Sequence, residues 1–204
     1  MDLLGFVDGW SDNWRTISTN TGGTLLMPQE IRACVFEGEF NDLLRKLNIN
    51  ETWRSIYGNV NKRMRDQELI LRFFAFYYNA TEYSRPMKIF LNRFMKVNRH
   101  LELHTENQLT DLFRNTIEAA YKMNGVRVFK LERGILASLF DCTMVGLAKR
   151  LEKGPIKDFS KAKDMYTNLV SDPEFYDLLI RSTADEKNFF NRMTRMTKAF
   201  ADVP

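Results

Sequence analysis

Histidine and cysteine are scarce in this chain, each occurring only twice in 204 residues. That excludes a disulfide scaffold or a cysteine-rich metal fold, and it leaves a histidine-based acid–base pair few options. Cys34 and Cys142 lie in helical-looking apolar segments with no local partner. They read as buried free thiols of a cytoplasmic protein, with a single disulfide between them as the alternative. With only 5 proline and 10 glycine residues, fibrous and low-complexity architectures are excluded as well. Nowhere do fifteen apolar residues follow one another, and no basic-then-apolar leader opens the chain. Neither a membrane span nor a secretion signal is expected. Three catalytic signatures are also missing: the Gly-x4-Gly-Lys-Ser/Thr phosphate loop, the His-Glu-x-x-His helix and the Gly-x-Ser-x-Gly elbow. No residue is therefore assigned as catalytic.

What is present is ordinary globular material, 44% hydrophobic and 27% charged, in a chain long enough to bury a sizeable core. The net charge is +4, unevenly spread. From residue 61 to residue 100 there are nine Lys or Arg and three acids, so that stretch is +6 and the remainder −2. Such a gradient could steer an anionic partner such as DNA, or it could mark solvated helix faces.

Helix punctuation is frequent. Pro28 suits a first helical turn, and a helix through Gln29, Ile31 and Val35 should stop at Gly38. Phe40, Leu43, Leu44 and Leu47 form the stripe of a second helix. Asn50 can cap a third, bearing Trp53 and Ile56 and ending at Gly58. From Asp66, read as an N-cap, a helix apolar nearly all round runs to Tyr78, which predicts the buried centre of the domain. Ser84 and Pro86 open the next, and Thr105 with Gln108 forms a capping box for a helix closed by Gly125. Val126–Phe129 alone has strand character. Helices are then expected over 135–151, 162–170, 173–181 and 183–200, the last opened by a capping box at Thr183 and Glu186. The expected fold is all-α and compact, with about nine to ten helices and at most a minor strand near 126–129. Residues 1–23 read as an irregular segment, and residues 24–204 as a single helical domain.

Asn20-Thr21-Gly22-Gly23-Thr24, ahead of a Pro-initiated helix, is the most suggestive element. Paired glycines let backbone N–H groups converge, and a helix N-terminus favours an anion. The basic run Lys62-Arg63-Met64-Arg65, with Arg72 beyond, could hold phosphates. Alternatively, Arg63 and Arg72 could pair with Asp66 and Glu68 at the helix start. His100 and His104 have the spacing of two metal ligands on one helix face, but Thr105 starts a new helix there, and no metal site is assigned.

Together these stretches resemble one family. Asn20-Thr21-Gly22-Gly23-Thr24-x-Leu26-x-Pro28-Gln29-Glu30-Ile31-Arg32 is similar to the Asn-Thr-Gly-Gly and Gln-Glu-Ile-Arg signature of the GmrSD-type restriction endonuclease N-terminal domain. Gly38-x-Phe40-Asn41-x-Leu43-Leu44 agrees, as do the stretch from Arg63 to Ala75 and Met87-Lys88-x-Phe90-Leu91-Asn92-x-Phe94-Met95. The tail from Ser182 through Asn191-Arg192-Met193 looks like the family's closing helix, so the resemblance covers roughly residues 16 to 200.

The resemblance implies phage defence by enzymes that cut or nick foreign DNA. A ParB-like part carries an Asp-Gly-x-Gln-Arg nucleotide motif, a helical part follows, and many members add an HNH nuclease. Here Ser11 and Asp12 follow Asp8-Gly9-Trp10 where Gln and Arg would stand. With nineteen residues before Asn20, too few for a ParB-like fold, and no room for an HNH domain after Pro204, neither part is expected in this chain. The expectation is therefore the helical portion, non-catalytic alone, working with a ParB-like or HNH nuclease partner chain. It would act in nucleotide-gated DNA targeting and could share a nucleoside triphosphate with that partner. Asn20, Gly22, Gly23, Gln29, Glu30 and Arg32 are the candidate nucleotide or anion contacts. Lys62, Arg63, Arg65 and Arg72 are the DNA or phosphate candidates. The alternatives are an autonomous nucleic-acid-binding protein using residues 61–100, and an independent nucleotide hydrolase.

Overall fold

The computed structural model describes residues 25–132 and 134–204. Among them are ten α-helices and no strand: α1 (Pro28–Val35), α2 (Glu39–Asn48), α3 (Glu51–Tyr57), α4 (Arg65–Asn79), α5 (Met87–Val97), α6 (Glu106–Asn124), α7 (Ala137–Leu151), α8 (Phe159–Ser171), α9 (Pro173–Ile180) and α10 (Glu186–Ala201). The all-α expectation holds. No helix is long and apolar enough to cross a membrane.

Local signals set several boundaries. The Asn50 side chain accepts from Trp53 N to cap α3, and Thr105 and Gln108 form the reciprocal box that opens α6. Gly58 and Gly125 end α3 and α6. Four expectations are corrected. Asp66 lies in the first turn of α4 rather than at its cap, and Met64, in the left-handed region at φ 54°, precedes the helix. The Asp66 carboxylate is drawn inward by neighbours on other elements. The last helix is capped by Asp185 instead of Thr183, because the Asp185 carboxylate reaches both Lys187 N and Asn188 N. Glu186 accepts from Arg85 N at 2.9 Å, which commits it to the segment preceding α5.

The supposed strand is a 3₁₀ turn, Gly125–Arg127, followed by a single antiparallel bridge between Lys130 and Ile135. Val128 and Phe129 are fully buried, so their apolar character reflects packing and not pairing. Cys34 is exposed, because α1 turns Gln29, Arg32 and Ala33 inward and leaves position 34 on the opposite face. Cys142 is buried, and burial pushes its thiol up to about 12.

One apolar core runs from Phe36 to Val203. The expected centre, α4, is indeed enclosed through Leu69–Phe76, apart from the partly exposed Arg72. Still more enclosed is α7, buried continuously from Ser138 to Ala148. It is flanked by α4, α6 and α10, and its closest partner is α10. Gly146 permits that approach. A Cβ there would lie 3.0 Å from Phe200 Cδ2 and 3.3 Å from the Met196 carbonyl oxygen. Phe76 of α4 and Phe189 of α10 touch, with ring centroids 4.7 Å apart.

Candidate functional site

The sequence stretches 28–32, 63–72 and 87–95 meet where α1 crosses the start of α4. Pro28 starts α1 and Glu30 sits in its first turn. The Glu30 carboxylate accepts from Met27 N at 2.5 Å and from Arg63 Nε at 3.0 Å. Arg63 also donates to the Leu25 carbonyl, so it fastens the approach to α1 onto the approach to α4. One helical turn on, Arg32 is 2% exposed. It donates to Gln29 Oε1 at 2.8 Å and Asn92 Oδ1 at 3.5 Å, and it pairs with Glu68. Burial lowers the Arg32 pKa, and the Glu68 charge opposes that shift.

Beside this junction, Asp66 is fully buried. One oxygen accepts from Arg54 at 2.9 Å, Asn48 at 3.1 Å and Asn61 N at 3.0 Å; the other accepts from Gln67 N at 3.0 Å. Asn48 also accepts from Trp53 Nε1 at 3.0 Å and from Arg54 at 2.9 Å. Each member of the knot holds the next, which ties α2, α3 and α4 together.

Two turns along α4, Arg72 makes a forked pair with Asp141 of α7, with Nε 3.0 Å from Oδ1 and the second nitrogen on Oδ2. Burial lowers the Arg72 pKa, but the charge and hydrogen bonds of Asp141 outweigh it and the net shift is upward. The arrangement expected from the sequence, Arg63 and Arg72 on Asp66 and Glu68, is thus replaced throughout. Glu30 holds Arg63, Asp141 holds Arg72, Arg32 holds Glu68 and Arg54 holds Asp66. The partners sit on other helices, where they join elements instead of capping one.

Between α3, α4 and the 130–137 segment opens a cleft of about 490 Å³, bordered by Tyr57, Asn61, Arg65, Glu68, Arg72 and Lys130. Three cations face one carboxylate; Arg32 neutralises that carboxylate and Asp141 neutralises Arg72, which leaves Arg65 and Lys130 as the excess charge. Among the described residues the lining contains no histidine, cysteine, serine or threonine. A lining of this charge could draw an anion, with the Tyr57 ring and Leu69 as apolar walls.

Of the candidate residues, Arg65 and Arg72 border this cleft. Gln29, Glu30, Arg32 and Arg63 form the junction next to it, and Lys62 is exposed outside it. Asn20, Gly22 and Gly23 lie outside the described residues, as do Thr24, Asp8, Gly9, Trp10 and Trp14. His104 stacks on Tyr78, ring centroids 3.7 Å apart, and no cluster suited to a metal occurs among the described residues.

Not anticipated as site residues were Tyr57 and Lys130, which border the cleft, and Asp141, which holds Arg72; nor was the full burial of Arg192 on α10. The signal for Asp141 was available: it is the one acid in the apolar run Ile135–Ala148. Arg192 similarly sits on the apolar stripe of α10, between Phe189 and Met193. No family model, curated protein or solved structure matches the chain.

Proposed function

We propose that this chain is a helical module of a GmrSD-like defence system, non-catalytic alone, which acts with a ParB-like or HNH nuclease partner in nucleotide-gated DNA targeting. The supporting observation is a convergence. Residues from three separated stretches, Arg32, Glu68 and Asn92, interlock at one junction beside a cleft bordered by Arg65, Arg72 and Lys130. The phosphates of a nucleotide would sit between those cations, and its base against Tyr57. The candidate glycine turn at Gly22-Gly23 precedes that junction in sequence.

Calorimetry with a nucleoside triphosphate tests this. Micromolar to millimolar binding that weakens at least tenfold in Arg65→Ala is expected. Absence of binding, or binding indifferent to Arg65, overturns the cleft assignment.

A second reading has its own support. α5 carries Lys88, Arg93 and Lys96 with no acid, and Arg93 and Lys96 are exposed. DNA binding by the chain alone, falling steeply with salt as counterions are released, would favour an autonomous nucleic-acid-binding protein.

A further inference from the structure

Asp141 is fully buried, and both of its oxygens are occupied by Arg72. Arg72 is the exposed member of that pair, at 14% of its side chain, and it borders the cleft. Behind it, Arg192 of α10 is fully buried, and none of its three guanidinium nitrogens has a hydrogen-bond partner among the described residues. The two guanidinium groups flank a single pair of touching rings. Arg72 Cζ lies 5.6 Å from the centroid of Phe76, Arg192 Cζ lies 5.3 Å from that of Phe189, and those rings are 4.7 Å apart. Arg150 Nε donates to the Val203 carbonyl and Gly146 abuts Met196, so α7 and α10 run side by side in the same direction and bring Asp141 level with Arg192. Burial lowers its pKa, Asp141 raises it and Arg72 lowers it.

One buried carboxylate thus serves two cations, the partly exposed Arg72 and the buried Arg192, and is hydrogen-bonded only to the first. We propose that Asp141 is a shared anchor, exchanged from Arg72 to Arg192 when an anion in the cleft draws Arg72 outward, so that occupancy of the cleft is reported at α10. The proposal rests on the cleft reading given above and adds its regulation. Its physical basis is the cost of an unpaired charge. Without a second cation, turning Arg72 to a ligand would strand Asp141 in an apolar interior and suppress binding. With Arg192 present, the exchange gives Asp141 a new partner and satisfies donors that otherwise lack one. The two arrangements then lie close in free energy, and a modest ligand affinity suffices to shift between them. Arg192 is a positioning residue in this scheme, since it neither borders the cleft nor can touch a ligand there.

The test is calorimetric titration of the full chain with inorganic tripolyphosphate, in the wild type, Arg192→Met, Asp141→Asn and the double variant. Wild type should bind. Arg192→Met should bind roughly a hundredfold more weakly, the factor expected when a buried carboxylate is left without its partner. Asp141→Asn should bind at least as tightly as wild type, and adding Arg192→Met to it should change nothing further, because no buried carboxylate remains to be stranded when Arg72 turns outward.

Equal binding by wild type and Arg192→Met overturns the exchange alone. So does an Arg192→Met loss that persists undiminished in the Asp141→Asn background, which would mark a direct field effect. No tripolyphosphate binding by wild type overturns the cleft reading and the exchange together. Should the variants fail to fold, the Arg192 Nε–H resonance of the wild-type protein decides the matter. It should shift and gain protection on adding tripolyphosphate, and an unmoved resonance overturns the proposal.

Discussion

Asp66 and Asp141 are both fully buried carboxylates paired with an arginine, yet their surroundings differ in one respect. Around Asp66 the donors converge on one carboxylate: Arg54, Asn48, Asn61 N and Gln67 N all reach it, Asn48 in turn holds Trp53, and of Arg54 only Nε stays without a partner among the described residues. Around Asp141 there is one cation too many, since Arg192 lies buried beside a pair that is already complete. A network converging on one carboxylate has one good arrangement and so acts as a strut. A network with an excess cation has two, and it sits behind the cleft that attracts anions. The distinction separates residues that hold the α2–α3–α4 corner from those able to respond.

The largest expected effect tests the strut. Asp66→Asn keeps the size of the side chain but replaces an acceptor by an N–H₂ group amid three converging donors. Loss of a buried ion pair's charged partner costs about 3 kcal/mol or more. Urea unfolding followed by circular dichroism should show a drop of that order with an unchanged slope. A drop below about 1 kcal/mol, the worth of an ordinary hydrogen bond, would mean that the corner is held by apolar packing around Trp53 instead.

A change of opposite sign is expected at the other carboxylate. Arg192→Met removes a buried cation with no hydrogen bond among the described residues and leaves the Arg72–Asp141 fork intact. Replacing a poorly compensated buried charge by an apolar side chain of similar length is neutral or stabilising, here by about 1 kcal/mol. The same urea experiment measures it. Destabilisation comparable to that of Asp66→Asn would show that Arg192 already supports Asp141 in the resting fold, and the contrast between the two centres would collapse.

What the sequence disclosed follows the same division between near and far. Caps at Asn50 and at Thr105 with Gln108 were legible because donor and acceptor are three residues apart, within reach of any helix start. The buried character of α4 was legible from its apolar surround. Ion-pair partners were not, because Arg32 meets Glu68 across 36 residues and Arg72 meets Asp141 across 69, and proximity along the chain suggested nearer acids. Cys34 was misplaced because an eight-residue helix can turn any one position outward, and its apolar neighbours did not decide which. The candidate cleft needed the fold itself. Arg65 and Arg72 stood out as cations, but only the bridge between Lys130 and Ile135 brings Lys130 opposite them.

The smallest expected effect carries the comparison to a group that can change its charge. Arg192 keeps its proton at any accessible pH, whereas His104 can release its own. The His104 ring stacks on Tyr78, and partial burial, with no charged neighbour to offset it, lowers its pKa from the ordinary value near 6.5. The folded state therefore binds fewer protons at this site than the unfolded chain. By linkage, stability rises with pH between the lowered pKa and about 6.5, is unaffected by this group above that, and is reduced below it. Urea midpoints of wild type and His104→Gln should converge as the solution is acidified through that window, with wild type losing more. If wild type instead gains stability on acidification, the protonated ring must meet a carboxylate, and His104 would belong with the paired cations rather than with Arg192.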